Sequence, residues 1–356
     1  MTANGTSKQQ LVILELEGLS PDDTVEQAIW DQAPHNYDIK FIRANLSPGG
    51  DGETRAISTL SDELCASVDG LMVFRHYLTK EDIARFSKLK VVVRMGVGFD
   101  RLDRVALAER KITVCNVPDY GTNEIADHAL ALALSLRRGI LLHHELQRST
   151  PPAPWQPAYS PLVARLQGAT FGVLGLGRIG MAAALRAKAF GWKVIFFDPY
   201  TPNGVDKALQ ITRVRTIEEL FRQSTTLSIH CPHTRETRGM VSTSLLDLLP
   251  PGAILVNTAR GEIVDLDAVE KALKSGKLAG AGLDVLPVEP IPEPAPSLIQ
   301  AYRNKEAWLE GRLVITPHNA FFSPSSFEDI RTNSAQTMRD VLIDGLKTNV
   351  IHPHDE

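Results

Sequence analysis

The string F-G-V-L-G-L-G-R-I-G limits what this chain can fold into more than any other, because it sets Gly175, Gly177 and Gly180 in the spacing G-x-G-x-x-G. An apolar run, Thr170 to Leu174, leads into it, and a helical pattern, Arg178 to Phe190, leaves it. A second apolar run, Lys193 to Phe197, is followed by Asp198, 23 residues after Gly175. Strand, glycine turn, helix, strand and acid in that order predict a dinucleotide-binding fold. Gly175 permits the tight turn, Gly177 lets the backbone approach a pyrophosphate, and Gly180 lets helix and strand pack closely. The helix N-terminus then turns its N–H groups and positive dipole end toward the phosphates. Asp198 can accept hydrogen bonds from the adenosine ribose, and its charge would repel a 2′-phosphate. Pro199 and Tyr200 follow it without an arginine, so the expected cofactor is NAD rather than NADP.

The same alternation runs along almost the whole chain. Predicted strands are Leu11 to Leu16, Gly70 to Phe74, Val91 to Arg94 and Thr113 to Asn116 before the glycine loop. After it come Thr226 to His230, Ala253 to Asn257, Ala279 to Leu283 and Leu313 to Ile315. Several are continuously apolar, as strands buried on both faces of a parallel sheet are. Helical patterns at Asp82 to Ser87, Asn123 to Arg138, Thr216 to Arg222 and Asp265 to Ser275 lie between them. The predicted class is α/β with doubly wound parallel sheets, and 356 residues suggest about two domains at roughly 150 residues each. Two Pro-rich stretches interrupt the rhythm. Ser149 to Pro161 can be neither helix nor central strand and reads as an arm beside a domain junction. Pro287 to Pro296 reads as irregular, with a more helical Ser297 to Leu309 behind it.

Composition excludes several classes of function. A net charge of −4 leaves no basic excess for nucleic acid. Three scattered cysteines (Cys65, Cys115, Cys231) without a C-x-x-C form no disulfide framework and suit a reducing compartment. The polar N-terminus lacks the apolar core of a signal peptide, and I-H-P-H-D-E at the C-terminus carries no prenylation or peroxisomal tag. The longest clearly apolar stretch, Ala129 to Leu136, is too short to span a membrane. The expectation is a soluble cytoplasmic protein without a membrane or nucleic-acid partner. H-C-P-H at 230–233 has metal-ligand spacing, but no further cluster completes a four-ligand set, so no metal is expected.

Three ionisable residues follow predicted strands, where ligands of open α/β sheets bind. Arg260 follows Ala253 to Asn257, Glu289 follows the strand ending near Leu283, and His318 follows Leu313 to Ile315. Hydride transfer to a 2-keto acid needs a fixed cation to hold and polarise the substrate, and a proton for the carbonyl oxygen. An arginine, a histidine and a carboxylate that orients and tunes the imidazole supply that chemistry.

The strings V-V-V-R-M-G-V-G-F-D, V-C-N-V-P, L-G-L-G-R-I-G, F-D-P-Y, V-N-T-A-R-G, G-L-D-V and T-P-H-N-A carry a family likeness. From about Asp69 to Ala320 the chain resembles the D-isomer-specific 2-hydroxyacid dehydrogenases, within them most nearly the C-terminal binding protein branch. The resemblance implies Arg260 on the substrate carboxylate and carbonyl, His318 as proton donor in reduction, and Glu289 as its partner. It implies that the Val97 and Gly98 backbone holds the carboxylate from another domain. Arg178 and Ile179 would lie along the pyrophosphate, and His230, Cys231 and Pro232 would form the adenosine edge. Thr258 would approach the nicotinamide, and Asp284 would meet its carboxamide. It further implies two Rossmann-like domains with the active site in a cleft between them. Residues 1–119 would form the substrate-binding domain and 120–319 the NAD-binding domain, with 320–356 returning to the first. A homodimer is implied, with the apolar helix Asn123 to Leu146 and the Pro-rich arm as its contact.

Two departures bear on substrate. The interval from Glu289 to His318 is 29 residues, longer than in that branch. The branch also has tryptophan three residues after its histidine, where Phe321 stands here, followed by Phe322. Phe321, Phe322 and Tyr77 would make an apolar wall suited to an aliphatic or aromatic keto acid. The leading expectation is an NAD-dependent oxidoreductase of D-2-hydroxy acids. The alternative, implied by the same branch, is an NAD(H)-sensing dimeric scaffold and corepressor with weak dehydrogenase activity, which would also act in the nucleus.

Overall fold

The computed structural model describes residues 8–46 and 57–353. Most of the polar N-terminus, His354 and the last two residues, all read above, lie outside the described residues. In chain order the strands are β1 (Gln9–Glu15), β2 (Tyr37–Arg43), β3 (Gly70–Val73), β4 (Val91–Arg94), β5 (Thr113–Cys115) and β6 (Thr170–Leu174). They continue as β7 (Lys193–Phe197), β8 (Thr212–Arg213), β9 (Thr226–Ile229), β10 (Ala253–Asn257), β11 (Leu278–Leu283), β12 (Leu313–Ile315) and β13 (Val350–Ile351). They fall into two compact units: the chain up to Tyr120 together with the chain from Ser323, and Gly121–Phe322.

The first unit holds a sheet in the order β2-β1-β3-β4-β5-β13, parallel except for the pairing of β13 on β5. Its return segment begins with a capping box, where Ser323 and Ser326 exchange bonds and Pro324 opens the helix Pro324–Leu342. Gly70 makes room for that helix, since a Cβ there would lie 2.6 Å from the Met338 sulfur.

The second unit holds a fully parallel sheet in the order β8-β7-β6-β9-β10-β11-β12. The chain runs outward from β6 through β7 to β8, then returns to β9 on the other side of β6. That reversal creates a switch point between β6 and β9, the place where open α/β sheets bind ligands. Asp265 caps the helix Leu266–Lys274 by accepting from the Asp267 and Ala268 N–H groups, fixing where the chain turns back from β10.

Ten of the strands lie where the apolar runs predicted them. The sequence reading missed β2, β8 and β13. β2 is an edge strand that interleaves Asp38, Lys40 and Arg43 with apolar residues, and edge strands need no continuous apolar run. β8 and β13 are two residues long and leave no pattern to detect.

The expected helix from Asn123 to Leu146 is two helices, Thr122–Arg137 and Ile140–Arg148, broken at Gly139 with φ +59°. The wide apolar face of the first is spent inside its own unit. Leu132 and Leu136 lie on β11, where Gly282 and Gly280 leave space for them. The helix behind Pro287 to Pro296 likewise stops at Arg303, short of the expected Leu309, and a separate 3₁₀ turn covers Ala307–Leu309. Among the described residues no helix is long and apolar enough to cross a membrane.

Candidate active site

The three glycines of the loop after β6 meet different surroundings. At Gly175, φ is +89° and a Cβ would lie 2.5 Å from the Cys231 amide nitrogen. At Gly180 a Cβ would lie 2.2 Å from the Gly175 carbonyl oxygen. Both positions are closed by the chain's own backbone. Gly177 opens onto empty space, with nothing within 4 Å of an added Cβ. It begins the helix Arg178–Ala189, and no side chain caps that helix. A helix start with uncapped N–H groups and open space in front is a seat for an anion.

Asp198 sits at the end of β7 as predicted, and its carboxylate is already engaged. Oδ2 accepts from the Leu176 N–H at 2.7 Å, while Oδ1 accepts from Tyr200 N–H at 2.8 Å and Thr201 N–H at 3.1 Å. Three of its roughly four acceptor positions thus anchor the glycine loop and the following turn. No arginine follows Asp198 directly in sequence, but Arg213, one strand away on β8, reaches the Asp198 carbonyl at 3.4 Å. Its guanidinium donates to the Thr201 and Pro202 carbonyls and lies over the Phe196 ring.

At the end of β9, Nε2 of His230 is 2.8 Å from the Ser228 hydroxyl, while its buried Nδ1 has no partner among the described residues. Burial pushes the His230 pKa down to about 4, so the ring is neutral at physiological pH. Burial likewise pushes the Cys231 thiol up to about 12. Pro232 turns its carbonyl to the Thr237 hydroxyl at 2.7 Å. Thr258, after β10, has a buried hydroxyl without a hydrogen-bond partner. Orphaned buried polar atoms are costly unless a ligand meets them. His230 Nδ1, Thr258 Oγ1 and the open Gly177 therefore fit a dinucleotide, which carries hydroxyls, amides and a pyrophosphate.

Arg260, Glu289 and His318 follow β10, β11 and β12, three adjacent parallel strands, so one sheet edge presents all three. His318 Nδ1 lies 2.6 Å from Glu289 Oε2, and Glu289 Oε1 accepts from the Leu286 N–H at 2.9 Å. With Nδ1 committed to the carboxylate, Nε2 is the nitrogen left to exchange a proton with a ligand. Asn257 fixes the arginine turn: Nδ2 donates to the Arg260 carbonyl at 2.9 Å and Oδ1 accepts from Ala259 N–H at 3.0 Å. Gly261 brings that turn against the glutamate loop, since a Cβ there would lie 1.9 Å from the Leu286 carbonyl carbon.

His318 has φ +50°, a left-handed conformation that is rare outside glycine. Asp284 holds it there. The Asp284 carbonyl accepts from His318 N–H at 2.7 Å, and its side chain accepts from Asn319 N–H, Ala320 N–H and the Thr316 hydroxyl. The family resemblance implies a ligand role for Asp284; in the structure it is first the hub of the histidine loop. His128, on the helix Thr122–Arg137, reaches the Thr316 hydroxyl at 3.0 Å, a contact that no sequence spacing signalled. Phe321 is buried with its ring edge-on to His318, centroids 6.4 Å apart, while Phe322 is half exposed. Val97 and Gly98 belong to the first unit, in the loop after β4, where Asn116 Nδ2 donates to the Val97 carbonyl at 2.7 Å. Tyr77 is also in that unit and is exposed. Among the described residues no group of three or more His, Cys, Asp or Glu is arranged to hold a metal ion.

A switch-point glycine loop beside a strand edge bearing arginine and a glutamate–histidine pair defines the class: an NAD-dependent dehydrogenase. Residues 130–320 match the NAD-binding domain of D-isomer-specific 2-hydroxyacid dehydrogenases. The chain belongs to that family. It is 36% identical over 261 residues to a glyoxylate reductase of Pyrococcus furiosus, covering 72% of this chain and 74% of that protein. It is 34% identical over 281 residues to C-terminal-binding protein 1 of Caenorhabditis elegans; that match covers 78% of this chain but spans only 37% of the relative. The structure of D-lactate dehydrogenase from Aquifex aeolicus complexed with NAD and lactic acid superposes with a TM-score of 0.75 at 26% identity. That superposition covers 96% of this chain and 98% of the other.

Proposed function

We propose that this protein interconverts a D-2-hydroxy acid and a 2-keto acid with NAD(H). The observation that carries the proposal is the His318–Glu289 pair at 2.6 Å, on the strand edge of the unit that holds the glycine loop. When bound, NAD(H) supplies or takes up the hydride at the substrate C2. Arg260 holds the substrate carboxylate and polarises the carbonyl. His318, fixed through Nδ1, gives the proton from Nε2 to the carbonyl oxygen in reduction and takes it back in oxidation. Glu289 keeps the ring in that orientation through its 2.6 Å contact with Nδ1. The Val97 and Gly98 backbone, in the first unit, is assigned to the carboxylate, and Phe321 to the wall beside the imidazole. Arg178 and Ile179 are assigned to the pyrophosphate, and Asp198, His230, Cys231 and Pro232 to the adenosine. Thr258 and Asp284 are assigned to the nicotinamide.

The test is NADH oxidation across a panel of 2-keto acids, with His318→Ala alongside. Turnover that collapses in the variant supports the reading; turnover that survives removes His318 from its role. The likeness to a C-terminal-binding protein favours a second reading, an NAD(H)-sensing dimeric scaffold. Tight NADH binding with negligible turnover on every acid would transfer the assignment to it.

A homodimer is part of the proposal. With the face of Thr122–Arg137 buried internally, the surface left to pair is the second helix and the arm, where Ile140, Trp155 and Tyr159 are exposed. Trp155 is 92% exposed, a large apolar area that a partner surface would cover. The three cysteines are free and buried, which suits a reducing compartment such as the cytoplasm.

A further inference from the structure

The loop carrying His318 is held by a chain of side chains that ends outside the catalytic trio. Asp284 is 2% exposed and its Oδ1 accepts from the Thr316 hydroxyl at 2.6 Å and from Asn319 N–H at 3.0 Å. Oδ2 accepts from Ala320 N–H at 2.9 Å. An ionised carboxylate only accepts, so the single Thr316 proton is committed to Asp284. Toward His128 the same hydroxyl can then only accept, which places the proton of His128 on Nε2, 3.0 Å away. His128 Nε2 also lies 3.7 Å from Asp284 Oδ1, so the three groups form one compact cluster. This cluster flanks a residue whose backbone is strained: His318, at φ +50°, sits between Thr316 and the two N–H groups that Asp284 holds.

We infer that His128 is a positioning residue for the His318 imidazole, acting through Thr316 and Asp284 rather than touching substrate. It orients the Thr316 hydroxyl so that the hydroxyl proton always points at Asp284, and Asp284 in turn keeps the loop wrapped. Without the Nε2–H donor, the hydroxyl keeps its bond to Asp284 but its oxygen is no longer tethered to the helix Thr122–Arg137, so the Thr316 end of the loop is held less tightly. The imidazole then samples positions away from Glu289. The inference rests on the proposed dehydrogenase reading for its kinetic readout, though not for its structural one.

The experiment compares His128→Leu, His128→Gln, Thr316→Val and the double variant His128→Leu/Thr316→Val, with His318→Asn as the control for the reading. Steady-state kinetics use the best 2-keto acid of the panel, NADH affinity is measured by fluorescence titration, and the His318 ring signals are followed by NMR. For His128→Leu, kcat is expected to fall roughly 10- to 30-fold while KM and the NADH Kd stay within about twofold, the split expected of a displaced proton donor. His128→Gln presents an amide N–H from the same direction and is expected to keep kcat within about threefold of the parent. The double variant should be no slower than the slower single one, because both break one chain.

Unchanged kcat in His128→Leu, equal losses in the Leu and Gln variants, or losses that multiply in the double would each overturn the inference. Should His128→Leu fail to fold, Thr316→Val against Thr316→Ser makes the same comparison. If His318→Asn turns over normally, the dehydrogenase role of His318 is what has failed. The NMR arm then decides alone: His318 ring signals that shift in His128→Leu but not in His128→Gln support the positioning role, and signals indifferent to both overturn it.

Discussion

Gly261 joins the two halves of the proposed chemistry, and a single methyl group there should separate catalysis from cofactor binding. In Gly261→Ala the new Cβ would lie 1.9 Å from the Leu286 carbonyl carbon, 2.2 Å from its oxygen and 2.3 Å from Pro287 N. Carbon atoms in contact sit about 3.5–4 Å apart, so one of the two segments must retreat by roughly 1.5 Å. All three obstructing atoms are backbone, so no rotamer change relieves the clash. Overpacking of this kind costs about 1–3 kcal/mol. At about 2–4 °C per kcal/mol for a unit of this size, Tm should fall by about 2–12 °C. The retreat is also transmitted. Leu286 N–H holds one Glu289 oxygen at 2.9 Å and the other holds His318 Nδ1 at 2.6 Å, so moving Leu286 moves the imidazole. A misplacement near 1 Å costs on the order of 10² in rate. The glycine loop, which carries the pyrophosphate seat, shares no partner with Gly261, so the NADH Kd should change by less than kcat does. Scanning calorimetry, NADH titration and steady-state turnover give the three numbers. A lowered Tm with kcat unchanged would refute the coupling between this turn and the histidine. A Kd that rises in step with the loss of kcat would show a general collapse instead.

Gly177→Ala should leave the Tm of the cofactor-free protein unchanged, since nothing lies within 4 Å of the added atom, yet raise the NADH Kd about tenfold or more. Equal Kd values in titration would remove that position from the pyrophosphate site. Glu15 is buried, and burial raises its pKa from 4.5 to about 7. The folded state therefore favours its protonated form, and its stabilising contribution, full below pH 4.5, is lost as pH rises through about 7. Glu15→Gln should accordingly gain on the parent by about 2.5 kcal/mol between pH 5 and pH 8 in paired denaturant titrations; parallel curves would contradict this. Arg331 Nη2 meets Glu26 Oε2 at 2.7 Å with both residues buried, so Arg331→Met should cost about 3–5 kcal/mol by stranding the carboxylate. Arg331→Met/Glu26→Leu should recover most of that loss, and an equally unstable double variant would locate the cost in packing rather than charge. Trp155→Ser should leave monomer stability within about 0.5 kcal/mol while weakening self-association in light scattering; an unchanged dimer would exclude the arm from the interface.

What the sequence revealed, and what it hid, follow from one physical distinction. Strands buried on both faces announce themselves as apolar runs, so β4, β6, β7 and β10 lie where the runs predicted them. β2 at a sheet edge, with Asp38, Lys40 and Arg43 among its apolar residues, does not. The helical pattern that ends at Arg138 matches the first helix, whereas the apolar Ile140 to Leu142 beyond Gly139 invite the longer span to Leu146 that the structure breaks. The apolar helix face was also legible, but its partner was not: L-A-G-A-G-L on β11 reads as a strand, and only coordinates show its glycines receiving Leu132 and Leu136. Side-chain chemistry behaves alike. Glu289 and His318 could be paired from motifs, whereas His128 lies 188 residues from Thr316, and no local pattern encodes that contact.

Asp198 and Asp284 carry the point furthest. Asp198 is read from its place after a strand, and Asp284 from the family resemblance, as a group reaching out to a ligand. In the structure each first accepts backbone N–H groups from its own neighbourhood: Leu176, Tyr200 and Thr201 for Asp198, and Asn319 and Ala320 for Asp284. A loop at a sheet edge has peptide N–H groups that no neighbouring strand can satisfy, and a buried one left unpaired is costly. A carboxylate at that position removes two or three such costs at once and fixes the loop's shape. Gly177 keeps its open approach because the glycine loop is pinned at Leu176, and His318 keeps its left-handed backbone because its loop is pinned at Asp284. Asparagine at either position offers one oxygen and an NH₂ group that cannot accept. Asp284→Asn should therefore slow turnover through a loosened histidine loop even if the cofactor binds with unchanged affinity. Full activity in that variant would mean that the strained backbone of His318 is held by its packing against Phe321 and not by the acid beneath it.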